Sequence, residues 1–210
     1  MTKFKSFDEY VKSRQVRLKH DADGKHKNKK LDLSKGCFYW AYGSNLNEAA
    51  MAERCPGSIK IQKLTLNDGA LVFRGVADVV SRADSQIHGG LWWITKANEA
   101  TLDTYEGVRS RFYLKKYLKL RFGGIEKPFP ALYYQMAISR GVMPPSEGYL
   151  RSIAEGYENF GLPLDALEAA LREAWEDKEV TPLLRERHKR RGGKLAQQLE
   201  VQLNGVEFEV

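Results

Sequence analysis

Apolar runs alternate with polar, glycine-containing segments between residues 37 and 177, a pattern typical of a mixed α and β domain. Cys37 to Ala41 is a continuous apolar run and predicts a buried strand. Ile59 to Val80 mixes apolar and polar residues around Asn67-Asp68-Gly69, which predicts a turn within a β-rich stretch. Ile87 to Ile94 predicts a further apolar strand.

Helices are predicted where capping residues precede amphipathic segments. Thr95 and Ser146 are suitable N-caps, and Gly107 and Gly161 are suitable stops. The expected helices lie at about residues 47–54, 96–105, 146–159 and 165–177.

Two hairpins are predicted toward the C-terminus. Phe112 to Phe122 and Ala131 to Ala137 are strand-like and are separated by Gly123-Gly124. Leu199 to Val210 alternates apolar and polar residues around Asn204-Gly205, a strong signal for a two-residue hairpin turn.

Charge divides the 210 residues into a nearly neutral centre and two basic ends. Residues 1–35 hold eleven Lys and Arg against five Asp and Glu, residues 36–180 hold 17 against 18, and residues 181–210 hold six against four. We therefore expect a basic extension with a short helix near Phe7 to Lys19, one central domain, and a basic segment whose hairpin packs on that domain. Basic ends can bind nucleic acid, but a solvated tail is the favoured interpretation.

Composition also argues against several classes of protein. No run approaches the roughly 18 apolar residues of a membrane-spanning helix, and residues 1–10 lack a signal-peptide core, so we expect a cytoplasmic protein. Cys37 and Cys55 are expected to be buried, reduced thiols. No cluster of His, Cys, Asp and Glu has metal-ligand spacing, and no glycine-rich phosphate fingerprint occurs. A reaction without a metal or cofactor is therefore expected.

The segment Tyr42-Gly43-Ser44-Asn45-Leu46 directly follows the first predicted strand. Gly43 permits a bend or the close approach of a ligand, and Ser44 and Asn45 offer short hydrogen-bonding side chains. A helix beginning near Asn47 would add unpaired backbone N–H groups and a positive dipole end, which favour a small anion. A strand, a polar turn and a helix are also an ordinary structural connection, and spacing alone leaves both interpretations open.

Glu106 ends the predicted helix, immediately before Gly107. A carboxylate at a helix C-terminus is disfavoured by the dipole, so this position is either a solvent-facing side chain or a functional acid. The residue pattern alone does not choose between these two interpretations.

Several segments of the chain resemble segments of the γ-glutamylcyclotransferase family of AIG2-like proteins, and they follow one another in the same order, over roughly residues 37–172. The resemblance rests on Tyr42 to Leu46, His88 to Ile94, Leu102 to Val108 with Tyr113 after it, Pro144 to Tyr149, and Asn159 to Pro163. It implies an α+β fold with a small, mixed, barrel-like sheet flanked by helices.

The same resemblance implies cofactor-independent cyclisation of a small γ-glutamyl amide to 5-oxoproline. Glu106 matches the family's catalytic glutamate, and Tyr42 to Leu46 matches its substrate-binding loop. Tyr113 and Tyr149 match tyrosines near the substrate, although each is equally suited to be a core aromatic residue. Partial desolvation, with Tyr105, Trp92 and Trp93 nearby, would raise the pKa of Glu106 towards neutrality.

Two other functions stay open at this point. A non-catalytic AIG2-like module would bind a small acidic ligand or a γ-glutamyl group without turnover, and a nucleic-acid-associated factor would act through the basic ends. Within the enzymatic interpretation the leaving group is not identified, because the shared motifs carry little information about it. The sequence indicates no oligomeric state.

Overall fold

The computed structural model describes residues 35–120, 128–137 and 141–176. Within them lie five strands and four helices. The strands are β1 (Gly36–Ala41), β2 (Ile59–Phe73), β3 (Ala77–Thr95), β4 (Tyr113–Leu120) and β5 (Phe129–Met136). The helices are α1 (Glu48–Arg54), α2 (Lys96–Tyr105), α3 (Glu147–Phe160) and α4 (Leu164–Glu176). The predicted N-terminal helix, the Gly123-Gly124 break, the basic runs at residues 25–30 and 185–194, and the terminal hairpin fall outside the described residues. The three-part division of the chain stays a prediction.

The strands form one mixed sheet in the order β2-β3-β1-β5-β4. β1 runs parallel to β5, with Phe38 opposite Ala131, and β4 runs antiparallel to β5. β1 therefore has a neighbouring strand on each side. Its continuous apolar sequence follows from this position, because Phe38 and Tyr39, on opposite faces, are both buried. The predicted α+β fold with a mixed sheet is confirmed, as is the pairing of β4 with β5.

The predicted turn at Asn67-Asp68-Gly69 is wrong. β2 continues through these residues as one strand. Asp68 has a φ of 57°, and its carboxylate accepts a hydrogen bond at 3.3 Å from the backbone N–H of Asp84, whose φ is 59°. Turn-forming residues here produce an irregularity inside the strand instead of ending it. The connection from β2 to β3 lies at residues 74–76, where Gly75 has a φ of 82°.

The helices lie where their capping residues predict them. The Thr95 hydroxyl accepts from the Asn98 N–H, and the Asn98 side chain accepts in return from the Thr95 N–H. Ser146 caps α3, and Gly161 ends it with a left-handed φ of 60°. None of the helices in the described part of the chain has the length and apolar character needed to cross a membrane.

The described chain divides into two compact units. The first contains β1, most of α1, the beginning of β2, the end of β3, and α2, β4 and β5. Its core includes Phe38, whose ring lies 5.0 Å from Trp93 and 4.9 Å from Phe129 between ring centres. The second unit contains residues Tyr42–Ala50 and Lys63–Gly90, together with α3 and α4. There Gly90 lies against Phe160, since a Cβ on Gly90 would stand 2.4 Å from its ring.

Candidate functional site

The Tyr42–Leu46 segment, here called the β1 loop, folds back on itself in the second unit. Ser44–Leu46 forms one 3₁₀ turn in which the Leu46 N–H donates to the Gly43 carbonyl at 2.9 Å. Ser44, Asn45 and Leu46 are all buried. The resemblance places Leu46 in the substrate-binding loop; in the structure its N–H bonds within the loop and its side chain is fully enclosed.

Helix α3 fixes the loop from one side. A Cβ on Gly156 would lie 2.4 Å from the Leu46 Cβ and 2.7 Å from the Asn47 nitrogen, so α3 and the loop backbone are in direct contact. The buried Asn47 side chain donates to the Glu155 carboxylate at 2.7 Å and to the Ser152 carbonyl at 3.3 Å. Because a buried amide loses stability when unpaired, these bonds hold the end of the loop in place.

The start of α1 does not provide the anion site that the sequence suggested. The side-chain oxygen of Asn47 accepts from the Ala50 N–H at 3.0 Å, and the side-chain oxygen of Asn159 accepts from the Glu48 N–H at 2.9 Å. The helix has only seven residues and carries the acidic Glu48 in its first turn. The expectation that these two N–H groups are unpaired is wrong.

Tyr149 meets the β1 loop beside the start of β3. Its hydroxyl accepts a hydrogen bond from the Ala77 N–H at 3.1 Å. The same oxygen lies 3.3 Å from the point where a Cβ would stand on Gly43. The structure therefore brings two predicted site residues, Gly43 and Tyr149, together. A phenol can accept one hydrogen bond while donating another, so this contact is compatible with the predicted donor role.

An ion pair stabilises the backbone on both sides of Ala77. The Arg74 guanidinium and the Asp78 carboxylate lie 3.1 Å apart, and both side chains are largely buried. The second Asp78 oxygen accepts from the Val79 N–H at 2.9 Å. Gly75 donates to the Met143 carbonyl at 2.8 Å, which ties this turn to the segment before α3. Ala77, the hydrogen-bond donor to Tyr149, thus follows a turn that an ion pair and backbone hydrogen bonds hold in place.

Glu106 lies in the first unit, at the end of α2. The Glu106 N–H donates to the Leu102 carbonyl at 2.8 Å, and the next two N–H groups, of Gly107 and Val108, donate back to Thr104 and Asp103 at 3.1 and 2.9 Å. With Gly107 at a φ of 63°, this is a Schellman ending, which fixes the backbone on both sides of Glu106. The side chain is half-buried.

The aromatic residues expected near Glu106 occupy different environments. Tyr105 is 49% exposed, and the Arg54 guanidinium lies 4.0 Å from the centre of its ring. Trp92 and Trp93 are both buried, and Trp93 packs on Phe38. Tyr105 is therefore the aromatic half of a cation–π pair at the surface, not part of an apolar enclosure.

Tyr113 is a buried residue of β4, in the same unit as Glu106. Its ring packs edge-on against Phe112 at 5.2 Å between ring centres, and its register partner in β5 is Met136. These contacts describe a core aromatic residue. A contact between Tyr113 and substrate stays a prediction.

A hydrogen-bonded cluster beside the end of α2 was not foreseen from the sequence. The Lys115 ammonium bonds the Asp103 carboxylate at 2.6 Å and the Glu99 carboxylate at 2.8 Å. The Tyr134 hydroxyl donates to the other Asp103 oxygen at 2.7 Å, and the Cys37 thiol points at Glu99 with 3.7 Å between sulfur and oxygen. The regular spacing of Glu99, Asp103 and Glu106 along α2 was a visible signal, whereas their partners depend on the register of β4 and β5.

Burial and charge change the proton affinities in this cluster. Burial lowers the pKa of Lys115, but its hydrogen bonds to Asp103 and Glu99 and their negative charges outweigh that effect and leave the pKa raised. Burial raises the pKa of the Tyr134 hydroxyl, and the bond to Asp103 raises it further. Burial and the neighbouring Glu99 raise the pKa of Cys37 to about 12. At neutral pH the cluster thus contains a neutral thiol, a neutral phenol and a charged ammonium.

Comparison with known proteins places the chain in a family. Residues 86–169 match the model of the AIG2-like family. Over 141 residues the chain is 30% identical to γ-glutamylcyclotransferase from Bos taurus, an alignment that covers 61% of this chain and 73% of the bovine protein. The chain belongs to the γ-glutamylcyclotransferase family of AIG2-like proteins. The resemblance of its motifs to that family is confirmed.

Other members of the γ-glutamylcyclotransferase family agree with this assignment. The Homo sapiens protein of that name is 29% identical over 144 residues, which cover 62% of this chain and 75% of the human protein. A solved structure named γ-glutamyl cyclotransferase superposes with a TM-score of 0.57 at 26% identity, covering 65% of this chain and 86% of the other. The segment that matches the AIG2-like model includes Glu106, Tyr113 and Tyr149, and it begins after the β1 loop.

Proposed function

We propose that this protein is a cofactor-independent γ-glutamylcyclotransferase, which converts a γ-glutamyl amide to 5-oxoproline and releases the free amine or amino acid. The observation that carries the proposal is the 30% identity to a protein named γ-glutamylcyclotransferase over most of that protein's length. The rigidly ended helix that presents Glu106 supports it, because an acid/base group needs a defined position.

The proposed reaction is an intramolecular acyl transfer. The substrate's α-amino nitrogen attacks its own γ-carbonyl carbon, and a new C–N bond closes the five-membered ring. The original amide C–N bond then breaks. The α-ammonium nitrogen loses two protons as it becomes the ring amide N–H, and the departing nitrogen gains two as it becomes an ammonium group, so the reaction is balanced without an added reagent. Because the nucleophile and the carbonyl belong to one molecule, the enzyme has to hold the substrate in the folded conformation that places these two groups for attack.

Glu106 is the proposed general acid/base. As a carboxylate it would take a proton from the α-nitrogen, and as a carboxylic acid it would return a proton to the leaving nitrogen. Its half-buried position supports this role, since partial desolvation makes a carboxylate a stronger base. No covalent enzyme intermediate is needed, because the nucleophile belongs to the substrate.

The β1 loop is the proposed binding element for the substrate's α-carboxylate. We assign this role to Gly43, Ser44 and Asn45, which can also stabilise the oxyanion that forms during ring closure. Leu46 contributes differently from the sequence expectation: its buried side chain anchors the loop. Tyr149 supports the loop at Gly43, and both Tyr149 and Tyr113 are proposed to donate hydrogen bonds to substrate.

A panel of γ-glutamyl amino acids, γ-glutamyl amines and γ-glutamyl peptides tests this function. The full chain is incubated with each compound, and 5-oxoproline and the released amine are measured together by mass spectrometry. We expect equimolar release from at least one compound class. Saturable binding of these compounds without release would instead support a non-catalytic AIG2-like module. Retention of RNA or DNA that weakens steeply with salt, with neither binding nor release of γ-glutamyl compounds, would favour the nucleic-acid alternative.

A further inference from the structure

Asp103 connects the end of α2 to two strands of the sheet. One side-chain oxygen accepts from Lys115 at 2.6 Å, and the other accepts from the Tyr134 hydroxyl at 2.7 Å. Its backbone carbonyl accepts from the Val108 N–H at 2.9 Å and so closes the turn that follows Glu106. A single residue therefore links β4, β5 and the turn around the proposed acid/base.

The strand register explains why these groups meet. Lys115 and Tyr134 are directly opposite each other in the antiparallel pair of β4 and β5. Residues in register project from the same face of a sheet, so both side chains reach the one helix residue between them. Lys116, the next residue along β4, projects from the other face and bonds Gln135 near the surface.

The cluster also brings charge close to Glu106. Asp103 precedes Glu106 by three residues, which is one helical turn. The negative charges of Asp103 and Glu106 both raise the pKa of the Tyr134 hydroxyl, after burial and the hydrogen bond to Asp103. In the described part of the chain, the titratable and charged groups around this end of α2 include Glu99 and Tyr105 on the helix, Lys115 on β4, Tyr134 on β5, Cys37 and Tyr39 on β1, Arg54 on α1, and Arg109 and Arg111 in the following turn.

We propose that Lys115, Asp103 and Tyr134 are positioning residues for the proposed acid/base: they fix the helix end that carries Glu106 and hold the Lys115–Asp103 ion pair beside it. This inference rests on the proposed function for Glu106. None of the three residues is assigned a contact with substrate. Their expected effect is therefore on turnover and on the pH at which Glu106 titrates, and not on substrate affinity.

Two charge-changing variants should shift the acidic limb of the kcat/KM profile in opposite directions. Asp103→Asn removes a negative charge, which makes it easier to ionise Glu106, so the acidic limb of the kcat/KM profile should move to lower pH. Lys115→Met removes a positive charge, so the acidic limb should move to higher pH. Each shift should be on the order of half a pH unit. Both variants should lower kcat by roughly tenfold with little change in KM. Lys115→Arg keeps the positive charge and can still bond carboxylates, so its turnover should lie well above that of Lys115→Met.

An uncharged change separates position from electrostatics. Tyr134→Phe removes one hydrogen bond and leaves every charge in place, so it should lower kcat without moving the acidic limb. Lys116→Met is the matched control: it removes a lysine from the other face of the same strand and should change neither turnover nor the pH profile. Thermal unfolding of each variant shows whether the fold is retained.

A direct titration keeps this inference separate from the proposed function. The side-chain carboxyl of Glu106 is followed by carbon-13 NMR in the unmodified protein and in the two charge variants, without substrate. Opposite shifts of its titration midpoint would support the positioning role even if no γ-glutamyl compound were turned over. Unchanged midpoints and pH profiles, with only lower thermal stability, would show that the cluster is purely structural and would overturn the inference.

Discussion

The Tyr149 hydroxyl oxygen lies 3.3 Å from the position that a Cβ would occupy on Gly43. Gly43 has a φ of −116°, so it does not occupy the left-handed region in which glycine is favoured. The requirement is space, because Ala77 stands 3.1 Å from the same point. The absent side chain at Gly43 lets the β1 loop, β3 and α3 approach one another within the second unit.

Replacing Gly43 should weaken substrate binding through Tyr149. In Gly43→Ala the new methyl group forces the loop or the phenol to move by a few tenths of an ångström, and we expect kcat/KM to fall on the order of tenfold. A double-mutant cycle with Tyr149→Phe checks the mechanism. Because the phenylalanine lacks the crowded oxygen, Gly43→Ala should cost less in that background; strictly additive effects would show that the two residues act independently.

The contact between α3 and the β1 loop predicts that alanine substitutions at two glycines of this helix will differ sharply in their effects on stability and activity. Gly156→Ala places a methyl group against Leu46 and the Asn47 backbone, and we expect it to lower the free energy of unfolding by about 1 to 3 kcal/mol and to raise KM. Gly148→Ala has nothing within 4 Å of its new methyl group and serves as the control. It should leave activity unchanged and stability equal or slightly higher. Equal effects of the two substitutions in urea unfolding would contradict the described contact.

Cys37 should make a pH-dependent contribution to stability. Its thiol pKa is raised from 9.0 to about 12 in the folded protein, chiefly by burial and then by Glu99. The folded state therefore binds this proton more tightly than the unfolded state, and the resulting stability is present below pH 9 and is lost as pH rises towards 12. The difference in unfolding free energy between the unmodified protein and Cys37→Ala should shrink between pH 8 and pH 11. A difference that stays constant across this range would contradict the raised pKa.

Local signals in the sequence predicted the helices well. Thr95 and Gly107 bracket α2, and Ser146 and Gly161 bracket α3, because caps and left-handed stops depend on a few neighbouring residues. The same kind of signal failed at Asn67-Asp68-Gly69. Residues that favour a left-handed conformation serve a turn and a strand irregularity equally well, and pairing with β3 decides between them.

The candidate site was predicted in part. Glu106 lies at the helix end as expected, and Gly43 and Tyr149 are in contact. The expected anion site at the start of α1 was wrong, because Asn159 on α3 takes the Glu48 N–H, a contact between residues 111 positions apart. The partners of Asp103 were missed for the same reason: Lys115 and Tyr134 reach it only through the register of β4 and β5. Long-range pairings of this kind have no local sequence signature.

The central claim is that Glu106 moves the protons of a γ-glutamyl cyclotransfer reaction. Glu106→Gln keeps the size and hydrogen-bonding reach of the side chain and removes its basicity, so the Schellman ending and the fold should be retained. The direct measurement is the rate of 5-oxoproline release from the best substrate of the panel by folded Glu106→Gln and by the unmodified protein. We predict that the substitution lowers kcat by about a hundredfold or more while the variant still binds substrate. Release at the unmodified rate by the folded variant would contradict the assignment.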